Sequence, residues 1–260
     1  MGTGITNRAF PGAVLLALHK DSTLYEKTYG FHTYDSVRAV KSTDIYDLAS
    51  ITKVTAATLA LMGLYEDGLL DLDKQVVDYM PEIKGKRGKV TVREILAHQS
   101  GWRSWIAYHV EIRDKKGGLK KKYVATEPSE KYDWKLADNM YLRTDFYETI
   151  KQYIAKAEFN PEQGYVYSGM FFYLIPEIVK NQTGQDFDEY LRDRFYDPLG
   201  AATTVFNPLD TYGLDDIVPT EVDTFFRMKP LHGYVHDEGA IMMRGVSGNA
   251  GLFSNARDLS

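Results

Sequence analysis

The alternation of apolar and polar residues near the start of the chain predicts a β-hairpin. Residues 10–19 hold an apolar run that follows a Pro-Gly pair, and residues 23–30 alternate between the two types. The polar stretch Lys20–Ser22 between them is typical of a turn. We therefore expect two antiparallel strands, which need further strands and a helix to cover them.

The apolar pattern changes in the segment that follows Ser50. From Val54 to Met62 the residues are apolar or small on nearly every face, which predicts a helix buried on all sides. A polar connection over residues 33–43 leads into this helix, and Gly68 ends it. Ser50 is therefore predicted to lie at the mouth of a central helix.

Further periodic segments predict a largely helical middle of the chain. Periodicity disappears between residues 102 and 142, where the lysine-rich stretch 115–122 predicts a solvated loop, and the chain after residue 200 is rich in loops. The other expected elements are a short helix over 71–80, a helix over 91–98 opened by a capping box of Thr91 and Glu94, a helix over 145–158, an apolar run over 170–179 that Pro176 kinks or restarts, and a helix over 187–195.

Composition narrows the class of protein without identifying it. The 260 residues are 44% hydrophobic and 26% charged, as in an ordinary globular protein with ample length for a core. A net charge of -5 argues against nucleic-acid binding, and no apolar run is long enough to cross a bilayer. The chain has no Cys, which excludes disulfides and thiol nucleophiles.

The first turn of the Ser50 helix breaks a capping rule. Ser50 is a good helix cap, and a cap is usually completed by Glu or Gln three residues later, where the helix dipole favours negative charge. Here that residue is Lys53. Violations of this kind tend to occur at functional sites, because a cation in a buried first turn is costly.

The same surroundings make Lys53 useful in chemistry. Burial and positive potential favour the neutral amine, which can accept the proton of a hydroxyl one helical turn away. Residues three apart share a helix face, so Ser50 becomes a nucleophile with its activator in place. The Ser50 backbone N–H can also help to hold an oxyanion. By chance alone, a Ser-x-x-Lys pattern occurs roughly once in an ordinary domain of this size. The alternative therefore remains that Ser50 is only a helix cap.

Three further stretches resemble a known superfamily. They are Leu96–Gly101, Tyr165–Ser168 and Gly251–Ser254, and they follow Ser50 and Lys53 in the order and at roughly the distances found in serine β-lactamases and penicillin-binding proteins. The resemblance covers nearly the whole chain. It is closest to class C β-lactamases, related esterases and D-amino peptidases, and to the β-lactamase-like domains of Bacteroidetes, some of which are fused to family 3 glycoside hydrolases.

The resemblance implies roles for five residues. Ser50 would be the acylated nucleophile, Lys53 its proton partner, and Tyr167 part of the proton relay, with Lys53 as the cation that lowers the pKa of its phenol. Ser168 and Asn249 would contact the substrate. An alternative for Asn249 is that it only shapes its glycine-flanked loop. In class C relatives the position of Gly169 carries Asn or a similar polar residue, so the amide that usually helps to hold the lysine is missing there.

The implied fold is a mixed α/β (α+β) β-lactamase/transpeptidase-like domain over residues 1–260. An N-terminal hairpin and connection (1–48) would be followed by a helical region with the nucleophile (49–200) and a loop-rich segment (201–260). The third active-site element of the family, a strand with Lys or His, then Thr or Ser, then Gly, would follow residue 260. We therefore expect residues 1–260 to need a C-terminal remainder, which would supply the second oxyanion-hole donor.

The leading hypothesis is a serine hydrolase that acts on a β-lactam, a D-amino peptide or an ester. The alternative is a non-catalytic domain that keeps the fold and binds cell-wall-derived ligands, which Gly169 favours. The resemblance further implies an exported or periplasmic location, no cofactor, and a possible fused glycoside hydrolase. No pair of carboxylates indicates glycosidase chemistry in this segment.

Two histidine-containing motifs favour structural interpretations. His98 ends a short helix, where a His often binds the last carbonyl groups. The stretch His236–Glu238 could suggest a metal site, but three adjacent residues in a loop rarely point to one centre, so no metal is expected.

Overall fold

The computed structural model describes residues 1–114, 116–162 and 164–260. The predicted mixed α/β fold, with antiparallel sheets and helices, is confirmed. Its strands are β1 Gly12–His19, β2 Ser22–Gly30, β3 Tyr46–Asp47, β4 Val124–Ala125, β5 Tyr132–Ala137, β6 Met140–Arg143, β7 Val205–Phe206, β8 Glu221–Asp223, β9 Lys229–Leu231 and β10 Leu252–Ser254. Its α-helices are α1 Gly2–Thr6, α2 Leu59–Glu66, α3 Val76–Tyr79, α4 Val92–Leu96, α5 Phe146–Lys156, α6 Ile175–Thr183, α7 Phe187–Leu191, α8 Asp197–Leu199 and α9 Glu238–Ile241.

The predicted hairpin is present. Strands β1 and β2 pair antiparallel from Gly12 opposite Gly30 to His19 opposite Ser22. Within the described residues this is a two-stranded sheet, and much of its surface is open, with Leu24 68% exposed. The alternating pattern thus identified the pairing correctly.

The segment after Ser50 is helical, but it is not buried on all sides. One face carries Ala56, Ala60 and Leu64, which are fully buried. The opposite face leaves Val54 67% and Met62 61% exposed, so the prediction of complete burial is wrong. The reason is that periodicity reports which faces are apolar and not which of them another element covers.

This helical segment changes its winding along its length. A 3₁₀ turn over Ala49–Ile51 is followed by a π-helical turn over Lys53–Thr58 and then by α2. In the π turn the Thr58 hydroxyl donates to the Lys53 carbonyl at 2.8 Å. Single π turns of this kind are frequent at functional sites.

A short central sheet joins the Ser50 segment to two later parts of the chain. Strand β10 pairs antiparallel with both β3 and β7. Beside it, the Leu252 backbone N–H donates to the hydroxyl of Thr52, which is fully buried. The loop that precedes β10 is therefore held against the first turn of the Ser50 helix.

The region between residues 102 and 142 has structure that its sequence pattern did not reveal. A 3₁₀ helix spans Tyr108–Ile112, and β4, β5 and β6 form a three-stranded antiparallel sheet in the order β4-β6-β5. These strands are short and irregular, which explains why no period appeared. The lysine-rich loop is mostly exposed over residues 116–119 and 121–122, whereas Lys115 lies outside the described residues.

The helices predicted from local signals are present with adjusted ends. Pro176 lies in the first turn of α6, directly after a 3₁₀ turn over Phe171–Leu174, so it restarts the helix as predicted. The helix expected over 187–195 divides into α7 and a π turn over Arg192–Tyr196. Within the described residues no helix has the length and apolar character required to span a membrane.

The capping box of α4 is confirmed in both directions. The Thr91 hydroxyl accepts from the Glu94 backbone N–H at 3.2 Å, and the Glu94 carboxylate accepts from the Thr91 N–H at 2.7 Å. Thr91→Ala is expected to lower the free energy of unfolding by about 1 kcal/mol, because one helix N–H loses its partner. Urea unfolding measures this, with the exposed Thr126→Ala as the control. Equal effects of the two substitutions would contradict the capping role.

Candidate active site

Ser50 and Lys53 meet at the start of the Ser50 helix. Ser50 is exposed, whereas Lys53 is only 6% exposed, and the Lys53 Nζ lies 3.1 Å from the Ser50 Oγ. Ala49, just before Ser50, has a φ of 49°, in the left-handed region that residues with a Cβ rarely occupy. Strained backbone of this kind is concentrated at active sites.

Burial favours the neutral form of the Lys53 amine, and a backbone carbonyl fixes its direction. Burial lowers the pKa of Lys53 below its ordinary value, while Tyr167 and the charge of Asp237 act in the opposite direction. The Asn249 backbone carbonyl accepts from Nζ at 2.9 Å. With one N–H directed to this carbonyl, the neutral amine can direct its lone pair at the Ser50 hydroxyl.

Asp47 positions the strained turn that carries Ser50. Its carboxylate accepts from the Ala49 backbone N–H at 2.9 Å and from the His236 backbone N–H at 2.8 Å. The His236 Nδ1 lies 3.0 Å from the same carboxylate, and this hydrogen bond raises the pKa of His236. The turn at Ser50 is thus joined to the loop that contains Asp237.

Tyr167 lies beside the lysine, as the resemblance implies. Its ring centre is 5.3 Å from the Lys53 Nζ, and its side chain is 47% exposed. The His98 ring packs against it at 4.6 Å between ring centres. A phenol in this place can reach a substrate bound at Ser50, and its catalytic role remains a prediction.

His98 anchors the loop that carries Tyr167. Its Nδ1 lies 3.1 Å from the carbonyl oxygen of Ser168, and its own backbone carbonyl accepts from the Val166 N–H at 2.9 Å. The expected contact of a terminal His with its own helix is therefore replaced by a contact with a distant loop. Burial lowers the pKa of His98, which favours the neutral ring.

The other two predicted site residues are both buried. The Ser168 hydroxyl donates to the Arg103 carbonyl at 2.7 Å and accepts from the Met170 N–H at 3.3 Å, so it shapes the loop. Asn249 contacts Lys53 through its backbone and is only 6% exposed. Substrate contact by either side chain remains a prediction.

Sequence reasoning did not assign a role to Asp237 and Tyr173. The Asn249 Nδ2 donates to the Tyr173 hydroxyl at 3.0 Å and to the Asp237 carboxylate at 3.1 Å, and Tyr173 itself donates to Asp237 at 3.1 Å. Burial raises the pKa of Tyr173 well above its ordinary value, so its hydroxyl stays a donor. Asp237 was considered only as a metal ligand. The signal in the sequence is its place as the cap of α9, where it accepts from the Ala240 N–H.

Within residues 1–114, 116–162 and 164–260, no three His, Asp or Glu side chains gather as they would around a metal ion. The stretch His236–Glu238 instead sends its side chains to different partners, with His236 on Asp47 and Asp237 on Asn249 and Tyr173. The geometry suits acyl transfer, in which a hydroxyl attacks a carbonyl while an adjacent amine takes its proton.

The sequence of the chain is similar to sequences of known proteins. The chain is 32% identical to N-acetylmuramyl-L-alanine amidase of Bacillus subtilis and 31% identical to a putative D-alanyl-D-alanine carboxypeptidase of Escherichia coli K12, over 96% of its own length in each case. It spans only 58% of the length of each relative.

Solved structures share the fold. The octameric penicillin-binding protein homologue from Pyrococcus abyssi superposes with a TM-score of 0.69 at 23% identity, over 99% of this chain and 52% of that one. The D-amino acid amidase from Ochrobactrum anthropi superposes with a TM-score of 0.65 at 20% identity, over 98% of this chain and 64% of that one. The family model described as Beta-lactamase matches residues 2–260. The chain therefore belongs to the β-lactamase family.

Proposed function

We propose that this protein is a serine hydrolase that forms an acyl-enzyme on Ser50. The observation that carries the proposal is the buried amine of Lys53, 3.1 Å from an exposed serine hydroxyl and oriented by the Asn249 carbonyl. A buried lysine without an acidic hydrogen-bond partner is costly to the fold. Such a cost is understandable if the amine serves as a base.

The proposed reaction has two halves. Neutral Lys53 takes the Ser50 hydroxyl proton while Oγ attacks the substrate carbonyl carbon, and the tetrahedral intermediate expels its amine or alcohol as that group receives the proton. Tyr167, beside the amine, passes the proton to the leaving group. A water molecule then attacks the ester on Ser50, and the serine regains its proton as the acid is released. Stabilisation of the oxyanion by the Ser50 backbone N–H is part of the proposal.

We infer that the substrate is a peptidoglycan-derived D-amino peptide, with β-lactams as mimics and simple esters as weaker substrates. The name of one relative, an N-acetylmuramyl-L-alanine amidase, supports a peptidoglycan-derived substrate, and the name of the other, a putative D-alanyl-D-alanine carboxypeptidase, supports a D-amino peptide. An enzyme with such a substrate would act outside the cytoplasm, so an exported location belongs to the proposal.

Trapping of the acyl-enzyme tests this function. After incubation with a fluorophosphonate or with benzylpenicillin, the intact mass should rise by one adduct, and peptide mapping should place the adduct on Ser50. Ser50→Ala should remove it, whereas Ser104→Ala, a change at an exposed serine of a neighbouring loop, should leave it unchanged.

An adduct that persists in Ser50→Ala would refute the assignment of the nucleophile. Failure of every probe to label the protein, combined with calorimetric binding of peptidoglycan fragments, would instead favour the non-catalytic alternative.

A further inference from the structure

The loop Ser247–Gly251 is confined between the Ser50 helix and the helical segment formed by the 3₁₀ turn Phe171–Leu174 and α6. A Cβ on Gly248 would lie 2.5 Å from the Phe172 carbonyl oxygen and 3.2 Å from the Ala57 Cβ, so only glycine fits there. Gly251 has a φ of 114°, which a residue with a side chain rarely adopts. The loop therefore has little freedom to move Asn249, which lies at its centre.

The Asn249 carboxamide is fixed in one orientation. Its Nδ2 faces the Asp237 carboxylate and the Tyr173 hydroxyl, at 3.1 and 3.0 Å. Because a carboxylate only accepts hydrogen bonds, the amide nitrogen must take this side and Oδ1 the other. The same residue holds the Lys53 amine through its backbone carbonyl.

The Asn249 Oδ1 points at Gly169. A Cβ added to Gly169 would lie 2.2 Å from this oxygen, far inside contact distance. The φ of Gly169 is not in the left-handed region, so its backbone would accept a side chain. Space alone, and specifically the Asn249 side chain, restricts position 169 to glycine.

We propose that Asn249 is a positioning residue that takes over the function of the side chain missing at Gly169. The Asn249 carboxamide, from the loop before β10, thus occupies the space into which a side chain at position 169, two residues after Tyr167, would extend. Positions 169 and 249 form a coupled pair, in which one carries the amide and the other must lack a side chain. The positioning role rests on the proposed function of Ser50 and Lys53, whereas the coupling does not.

Thermal unfolding of the full chain tests the coupling without any assay of activity. Gly169→Ala should lower Tm by several degrees, on the order of 2–10 °C, because the new Cβ overlaps Oδ1. In an Asn249→Gly background the same change should cost less than about 2 °C. Equal losses in the two backgrounds would overturn the coupled pair.

Acylation by benzylpenicillin tests the positioning role. Asn249→Gly should slow acylation of Ser50 by about a hundredfold, since the carbonyl that orients Lys53 loses its anchor. The exchange variant, which combines Gly169→Asn with Asn249→Gly, should be acylated at least about tenfold faster than Asn249→Gly alone. An exchange variant that folds, as judged by its Tm, and is no faster than Asn249→Gly would overturn the role, and so would a Gly169→Asn single variant with an unchanged rate.

These experiments distinguish a failure of the proposed function from a failure of the coupling between positions 169 and 249. An unmodified protein that shows no acylation refutes the proposed function and the positioning role together. The unfolding measurements would then still decide whether positions 169 and 249 are coupled.

Discussion

Lys53→Met is expected to slow acylation of Ser50 by about 10²–10⁴-fold, the usual contribution of a positioned general base. The same substitution is expected to leave the free energy of unfolding unchanged or higher, because it replaces a buried amine with an apolar side chain of similar length. Stopped-flow acylation and urea unfolding measure the two effects. Loss of activity together with retained stability is the signature of a residue kept for chemistry.

Lys53→Arg separates charge from proton transfer. Arginine keeps a positive charge near the Asn249 carbonyl but stays protonated at any accessible pH, so it cannot serve as a base. We expect it to be about as slow as Lys53→Met. Acylation at near the unmodified rate in Lys53→Arg would show that the charge, and not the free amine, is what Ser50 requires.

The pH dependence of acylation follows from the same amine. Burial lowers the pKa of Lys53, so the fraction of neutral, proton-accepting amine rises at a lower pH than for an exposed lysine. The acylation rate should therefore increase with pH and reach its plateau below the ordinary lysine pKa of about 10.4. In Lys53→Met this rise should disappear, and its persistence would assign the titration to another group.

Asp223→Ala is expected to lower the free energy of unfolding by about 3–5 kcal/mol, because it removes the hydrogen-bonded counter-ion of the buried Arg227 guanidinium. The Glu221 carboxylate lies 3.9 Å from this guanidinium, too far to replace the lost hydrogen bond. The Arg227 side chain is fully buried and donates to the Asp223 carboxylate at 3.0 Å. Arg227 also donates to the Val235 and His236 carbonyls, at 2.7 and 2.6 Å. The pair therefore supports the loop that leads to Asp237.

A matched surface pair provides the control for this prediction. Asp215 is bound to Arg38 at the surface and its side chain is 95% exposed. Asp215→Ala should cost less than about 1 kcal/mol in the same urea titration. Similar losses for the two substitutions would contradict the importance assigned to the buried pair.

Acid should weaken the contribution of Asp223 in a defined range. Burial raises the pKa of Asp223, but hydrogen bonds from the backbone N–H groups of Phe226, Arg227 and Phe225 and from the Arg227 guanidinium outweigh it and lower the pKa to about 2. An unfolded Asp titrates near 3.9. The added stability is therefore complete above about pH 4 and is lost as the pH falls toward about 2, so the difference between the unmodified protein and Asp223→Ala should shrink over that range.

The sequence predicted what depends on neighbours along the chain. The pair Ser50 and Lys53 was found because a cation stands where a helix start prefers an anion. The capping box at Thr91 and the restart at Pro176 were found because each depends on a single local hydrogen-bond or backbone constraint. These predictions needed no knowledge of tertiary contacts.

The parts that were missed depend on contacts between distant residues. The Ser50 helix was expected to be buried throughout, since a local pattern does not report whether Val54 or Met62 has a covering partner. From the sequence, Gly169 indicated only that an amide is missing at that position. The Asn249 side chain fills the adjoining space, but this contact joins residues far apart in the chain and could not be predicted. Asp237 was weighed only as a metal ligand, since its hydrogen bond to Asn249 appears only after folding.

The π turn over Lys53–Thr58 has a consequence for insertions and deletions in this helix. A π turn is equivalent to one residue inserted into an α-helix. Because the wider π turn takes up this extra residue, deleting one residue within it would restore regular α winding and leave Lys53 at nearly the same angle to α2. The direction of the Ser50 and Lys53 side chains relative to the buried stripe of Ala60 and Leu64 would thus be kept. We therefore expect a homologous chain that is one residue shorter here to have a regular α-helix in place of the π turn.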